Sequence, residues 1–66
     1  MQKLGANIKK YRKISKLSQN LLAEKLDISR EHLAKIETAK RFISLQLLFD
    51  MSEVLDVELK ELFDFS

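Results

Sequence analysis

Within six residues the chain places two cations, a carboxylate and its only histidine: Arg30, Glu31, His32 and Lys35. This set donates and accepts hydrogen bonds but suggests no covalent chemistry. No nucleophile–base constellation and no glycine-rich phosphate loop accompanies it, so an enzyme is not expected. One histidine does not make a metal site, and there is no cysteine, so neither metal nor other cofactor is expected. If one helical face carries these side chains, they can hydrogen-bond the edges of bases. Arg pairs bidentately with guanine and Lys donates to the same edge. Glu31 either accepts from a cytosine amino group or orients Arg30, and His32 reads as a neutral polar contact.

The surrounding stretch, QNLLAEKLDISREHLAKIE from Gln19 to Glu37, supplies such a carrier. Leu22, Ala23 and Leu26 share one face of a short helix, Leu33 and Ile36 share a face of a second, and Ile28 sits in the break. Ser18 and Ser29 are suited to cap the two helices. Asp27 ends the first in a left-handed conformation that Asp tolerates better than most residues. Ala23 is small where the helices approach. Residues 18–37 therefore read as a helix-turn-helix, whose second helix turns Arg30, Glu31, His32 and Lys35 toward a DNA major groove. The unpaired first-turn N–H groups at Ser18 and Gln19 suit a DNA phosphate. Leu21 falls off the core face and is expected in solvent.

The remaining elements are read the same way. Leu4, Ile8 and Tyr11 make the apolar stripe of a first helix over about 2–15, closed by Ile14 or Leu17. Arg12 neighbours that stripe, where an unpaired charge is costly. Gly5 either permits a close backbone approach or is an ordinary surface glycine. Residues 38–43 form a loop carrying Lys40 and Arg41. Ser44 caps a fourth helix with Leu45, Leu48, Met51, Ser52 and Leu55 inward, and residues 58–63 form a short fifth. Proline is absent and glycine occurs once, which suits an almost wholly helical chain. With 66 residues there is room for one domain, spanning 1–66, and one small core. No apolar run approaches the ~18 residues of a membrane span, and the N-terminus does not resemble a signal peptide. A soluble, cytoplasmic protein is expected.

Charge is unevenly distributed. Residues 1–43 hold eleven Lys and Arg against four acids, a net of +7, whereas residues 44–66 hold Lys60 against six acids, a net of −5. A polyanion would orient this dipole by its basic front.

These pieces resemble a known family, the Cro and lambda-repressor group of helix-turn-helix regulators, also called the xenobiotic response element family. The resemblance is carried by Leu4-Gly5, Ile8 and Arg12, then Leu17-Ser18-Gln19, Leu22-Ala23-Glu24-Lys25-Leu26, Ile28-Ser29-Arg30 and Ile36-Glu37. Lys40-Arg41, Ser44-Leu45, Leu48, Leu55-Asp56-Val57, Leu59 and Leu62-Phe63 complete it. It implies an all-α, compact five-helix domain that binds double-stranded operator DNA, usually as a twofold dimer. By the same resemblance Gln19 contacts a phosphate and often reaches an outer base. Arg30, Glu31 and Lys35 read base edges, and His32 sits against the backbone or a base. Lys40, Arg41 and the helix start at Ser44 hold phosphates, as do the caps Ser18 and Ser29. Arg12 and Glu37 match a partly buried structural ion pair. The family favours glycine at the positions of Lys16, Asp27, Ala39 and Asp56, and proline at that of Ile43. Ala39 tolerates a left-handed turn poorly, so the third helix is expected to run on and the Lys40-Arg41 loop to differ.

Function is thus expected to be transcriptional regulation, as a repressor reading a palindromic operator. The alternative is an antitoxin-like or other protein-interaction module that also touches DNA. A homodimer surface must leave the basic front free, which points to the surplus apolar residues Leu47, Phe49, Phe63 and Phe65, ringed by Asp50, Glu53, Glu58 and Glu61. Phe42 and Phe65 read equally as partner-facing aromatics or as caps on the core.

Overall fold

The computed structural model describes residues 2–65. Among them five helices follow in order and no strand occurs: α1 Gln2–Ile14, α2 Gln19–Lys25, α3 Arg30–Glu37, α4 Leu45–Leu55 and α5 Leu59–Leu62. The all-helical, five-element expectation holds.

Local chemistry sets the helix starts. Ser18, Ser29 and Ser44 have extended backbones, and their hydroxyl oxygens accept from the N–H groups of Leu21 (3.0 Å), His32 (3.0 Å) and Leu47 (3.1 Å). Each bond satisfies one orphan donor of the first turn. At α5 the Glu58 N–H donates instead to the Glu61 carboxylate at 2.8 Å.

The ends of α1 to α4 share one device. Lys16, Asp27, Ala39 and Asp56 all take positive φ, between 55° and 62°. At α3 the Ala39 N–H donates to the Ile36 carbonyl at 3.1 Å and the Lys40 N–H to the Lys35 carbonyl at 2.8 Å. Such paired bonds close a helix on a left-handed residue. The third helix therefore does not run on through Ala39. The turn satisfies two carbonyls while Leu33 and Ile36 stay in the core and the chain leaves toward α4, and this outweighs alanine's left-handed penalty of about 1–2 kcal/mol.

One core joins all five helices. Leu4 and Ile8 meet Leu22, Ala23 and Leu26, then Leu33 and Ile36, then Leu48, Met51 and Leu55, with Leu62 fully buried from α5. Leu17, not the exposed Ile14, closes the stripe of α1. Leu21 stands in solvent as its register implies. Leu45, expected inward, is 62% exposed: it lies one turn before Leu48, where α4 has not yet reached the core. Gly5 is buried, and a Cβ there would lie 2.6 Å from the Ile36 carbonyl oxygen and 2.7 Å from that of Glu37. It lets α1 cross the last turn of α3 backbone to backbone. Farther along α1, the Asn7 amide donates to the carbonyls of Leu62 (3.0 Å) and Asp64 (2.9 Å), tying the end of α5 to the first helix.

Candidate nucleic-acid interface

The helix-turn-helix occupies α2, the turn 26–29 and α3. Ala23 is buried, and the Ile28 N–H donates to its carbonyl at 3.0 Å, so the turn folds directly onto the end of α2. Burial of Leu33 and Ile36 then fixes the rotation of α3 about its axis. Arg30, Glu31 and Lys35 are left exposed, and His32 half-buried. The Lys35 ammonium sits 3.4 Å from the Glu31 carboxylate, one turn earlier. In the free protein the cation that Glu31 pairs with is thus Lys35 and not Arg30, the residue the sequence reading has it orient. Both side chains are exposed, so the pair contributes little to stability and is readily opened by a ligand.

Beneath this face lies a buried polar network. The Arg12 Nε donates to Glu37 Oε2 at 2.7 Å and its Nη2 to Oε1 at 3.3 Å, while Nη1 donates to the Leu17 carbonyl at 2.9 Å. The Gln19 Nε2 adds a bond to Glu37 Oε1 at 3.0 Å. Four bonds join α1, the entry to α2 and the last residue of α3, with the Arg12 and Glu37 side chains 9% and 1% exposed. No buried side-chain N or O atom among the described residues lacks a partner. A burial this deep is tolerable because both carboxylate oxygens and three guanidinium donors are satisfied. The network also orients Gln19: one amide hydrogen points inward to Glu37, leaving the second, with the amide oxygen, for an external group.

Chains that match this fold supply its family. A helix-turn-helix family model matches residues 8–62. The chain belongs to the helix-turn-helix family of transcriptional regulators. An uncharacterized HTH-type transcriptional regulator of Methanocaldococcus jannaschii, MJ0272, is 36% identical over 56 residues, covering 85% of each chain. The restriction-modification controller protein C.AhdI of Aeromonas hydrophila superposes with a TM-score of 0.89 at 31% identity over 94% of each chain. SinR, a master regulator for biofilm formation whose structure was solved in complex with DNA, gives a TM-score of 0.85 at 39% identity, over 92% of this chain and 98% of that one. The family is one of DNA-binding regulators rather than of enzymes.

In this helix-turn-helix regulator the remaining cations of interest lie just past α3. Lys40 and Arg41 line, with Ala39 and Phe42, a shallow concavity of about 280 Å³. Ser18, Ser29 and Ser44 use their oxygens as cap acceptors, so each hydroxyl proton remains to be donated. In the acidic segment after residue 43, Phe49, Phe63 and Phe65 are exposed, and Leu47 packs partly against the core. Phe63 and Phe65 meet edge to face with centroids 6.4 Å apart. Two contacts lay beyond sequence reasoning. The Gln19–Glu37 bond and the Asn7 clamp join residues distant in the chain, and neither leaves a local pattern.

No helix among the described residues is long and apolar enough to cross a membrane.

Proposed function

We propose that this chain, as one DNA-binding domain over residues 1–66, binds a specific duplex operator in the cytoplasm by laying α3 in the major groove, and represses transcription there as a homodimer. The observation that carries the reading is the exposed set Arg30, Glu31 and Lys35, with His32 beside them, on a helix held by the buried Arg12–Glu37–Gln19 network. A rigid helix presents its donors at constant geometry, which base readout requires. Arg30 and Lys35 read base edges, Glu31 accepts from a base amino group or holds Lys35 until it meets one, and His32 contacts the backbone or a base. Ser18, Gln19, Ser29, Lys40, Arg41 and Ser44 donate to phosphates and set the register. SinR, similar over 98% of the chain in its solved structure, was solved with DNA bound, which supports the same ligand for this chain.

Size supports the dimer. The longest dimension of the domain is 29 Å, short of the ~34 Å between half-sites one helical turn apart. A second copy packed through Leu47, Phe49, Phe63 and Phe65 leaves the basic front on the DNA side. The test is selection of bound sequences from a pool of random duplexes. The expected product is a twofold-symmetric motif with half-sites about one turn apart. Enrichment of nothing over the starting pool overturns the reading, and an asymmetric half-site overturns the dimer.

A further inference from the structure

Phe42 is 84% exposed, the most exposed large hydrophobic side chain among the described residues. It directly follows Lys40 and Arg41, and no acid occurs between Thr38 and Ile43. The segment is held at both ends. The Lys40 N–H bonds to the Lys35 carbonyl of α3, and Ser44 caps α4. Ile43 packs partly against the core, while the side chain before it, Phe42, is turned outward. A phenyl ring is thus presented beside two cations, on the rim of the concavity they line, directly after the helix that reads the groove. An apolar protein surface would satisfy the ring but strand the cations, and a single anion would do the reverse. A polynucleotide backbone satisfies both, because it alternates phosphates with the apolar faces of deoxyribose.

We propose that Phe42 is a DNA-contacting residue, its ring lying on deoxyribose faces of the strand whose phosphates Lys40 and Arg41 bind, at the flank of the half-site under α3. The inference rests on the duplex-binding reading above. The contact adds an apolar, salt-insensitive component to an otherwise electrostatic loop and extends the footprint beyond the bases that α3 touches. Duplex flanking the half-site then contributes to affinity without being read base by base.

The chain has no tryptophan, so Phe42→Trp gives a sole indole emitter at the contact. The probe is a fluorescein-labelled random duplex of about 30 base pairs at about 50 mM salt, where non-specific binding is strong, with anisotropy reporting binding independently. At saturation the indole emission of the Phe42→Trp variant moves to the blue and its quenching by acrylamide falls severalfold. Phe42→Ala weakens binding about tenfold with an unchanged slope of log affinity against log salt, whereas Lys40→Ala lowers that slope by about 1. Unchanged quenching on a duplex that anisotropy shows to be bound overturns the contact and leaves the α3 reading intact. Protection that grows with protein concentration in the absence of DNA overturns it in favour of a contact between copies. A wild-type protein that binds no duplex even at low salt overturns both.

Discussion

The front of the molecule, α1 to α3, and the back, α4 and α5, solve opposite problems. The front carries a net of +7 over residues 1–43, yet it buries an arginine and a glutamate, and its exposed large apolar side chains, Ile14, Leu21 and Phe42, lie on three different segments of the chain. The back carries −5 and leaves Leu45, Phe49, Phe63 and Phe65 exposed. The Asn7 amide of α1 ties it down, holding the carbonyls beside Phe63 and Phe65. A groove-reading face needs fixed geometry and therefore a satisfied polar network. A face that pairs with another protein needs removable apolar area. On the proposed function, the difference between the halves is a difference in what each is built to meet.

The sharpest way to break this comparison is to remove the network. Glu37→Ala leaves the buried Arg12 guanidinium without its carboxylate and removes the inward partner of Gln19. We expect a loss of about 3–5 kcal/mol in urea unfolding, a large share of the stability of so small a domain. A double-mutant cycle with Arg12→Ala should show strong coupling, and no coupling would mean that packing alone fixes α3. Substitutions at the back that leave the core intact should not approach this figure.

The next effect separates presentation from readout. Arg30→Ala and Lys35→Ala should leave unfolding nearly unchanged, since neither side chain is part of the core, while weakening the best duplex by about 1–3 kcal/mol and relaxing preference at one position each. Binding titrations on selected and random duplexes check it. Equal weakening on both would make these phosphate contacts and move base readout elsewhere on the front.

How much of this was legible in the sequence follows the range of each interaction. The serine caps, the apolar stripes and the helix-turn-helix are local, and their residues announce them. Gly5 left two readings open, because the carbonyls of Ile36 and Glu37 that select one of them are distant in the chain. The Gln19 amide and the Asn7 clamp were invisible for the same reason. Leu45 misled because its spacing from Leu48 fits an inward face, and only the position of the core shows that the first turn of α4 overhangs it. Ala39 misled because local preference opposes the turn that capping bonds and packing impose.

A smaller effect tests the back. Phe65→Ala or Phe49→Ala should shift sedimentation toward monomer and lower operator affinity severalfold, with helical content unchanged. The signature is in salt. Acids across a twofold axis repel, so added salt should tighten the dimer while weakening DNA binding through counterion release. Parallel weakening of both by salt would place the protein contact on the basic front and erase the division between the halves.

The smallest effect compares two helix ends. Ala39 closes α3 at the front and Asp56 closes α4 at the back, with φ of 62° and 55° and the same paired bonds. In the left-handed region the Cβ of either residue crowds the following carbonyl, but the short polar side chain of Asp can offset this by local hydrogen bonding, which alanine cannot. Ala39→Gly relieves about 1–2 kcal/mol of that crowding and gives back about 0.5–1 through the more flexible unfolded chain, a net gain of about 0.5–1 kcal/mol. Asp56→Ala should have the opposite sign, since it installs at the back the penalty the front already carries. Measured near 1 M salt, where the repulsion between Asp56 and the helix C-terminus is screened, the two changes isolate the backbone term. A gain at Ala39 with no loss at Asp56 would mean that the back turn is held by its surroundings rather than by the residue in it. A loss at Ala39 would mean that its Cβ, half-buried between α3 and the Lys40-Arg41 loop, contributes more by packing than it costs in strain.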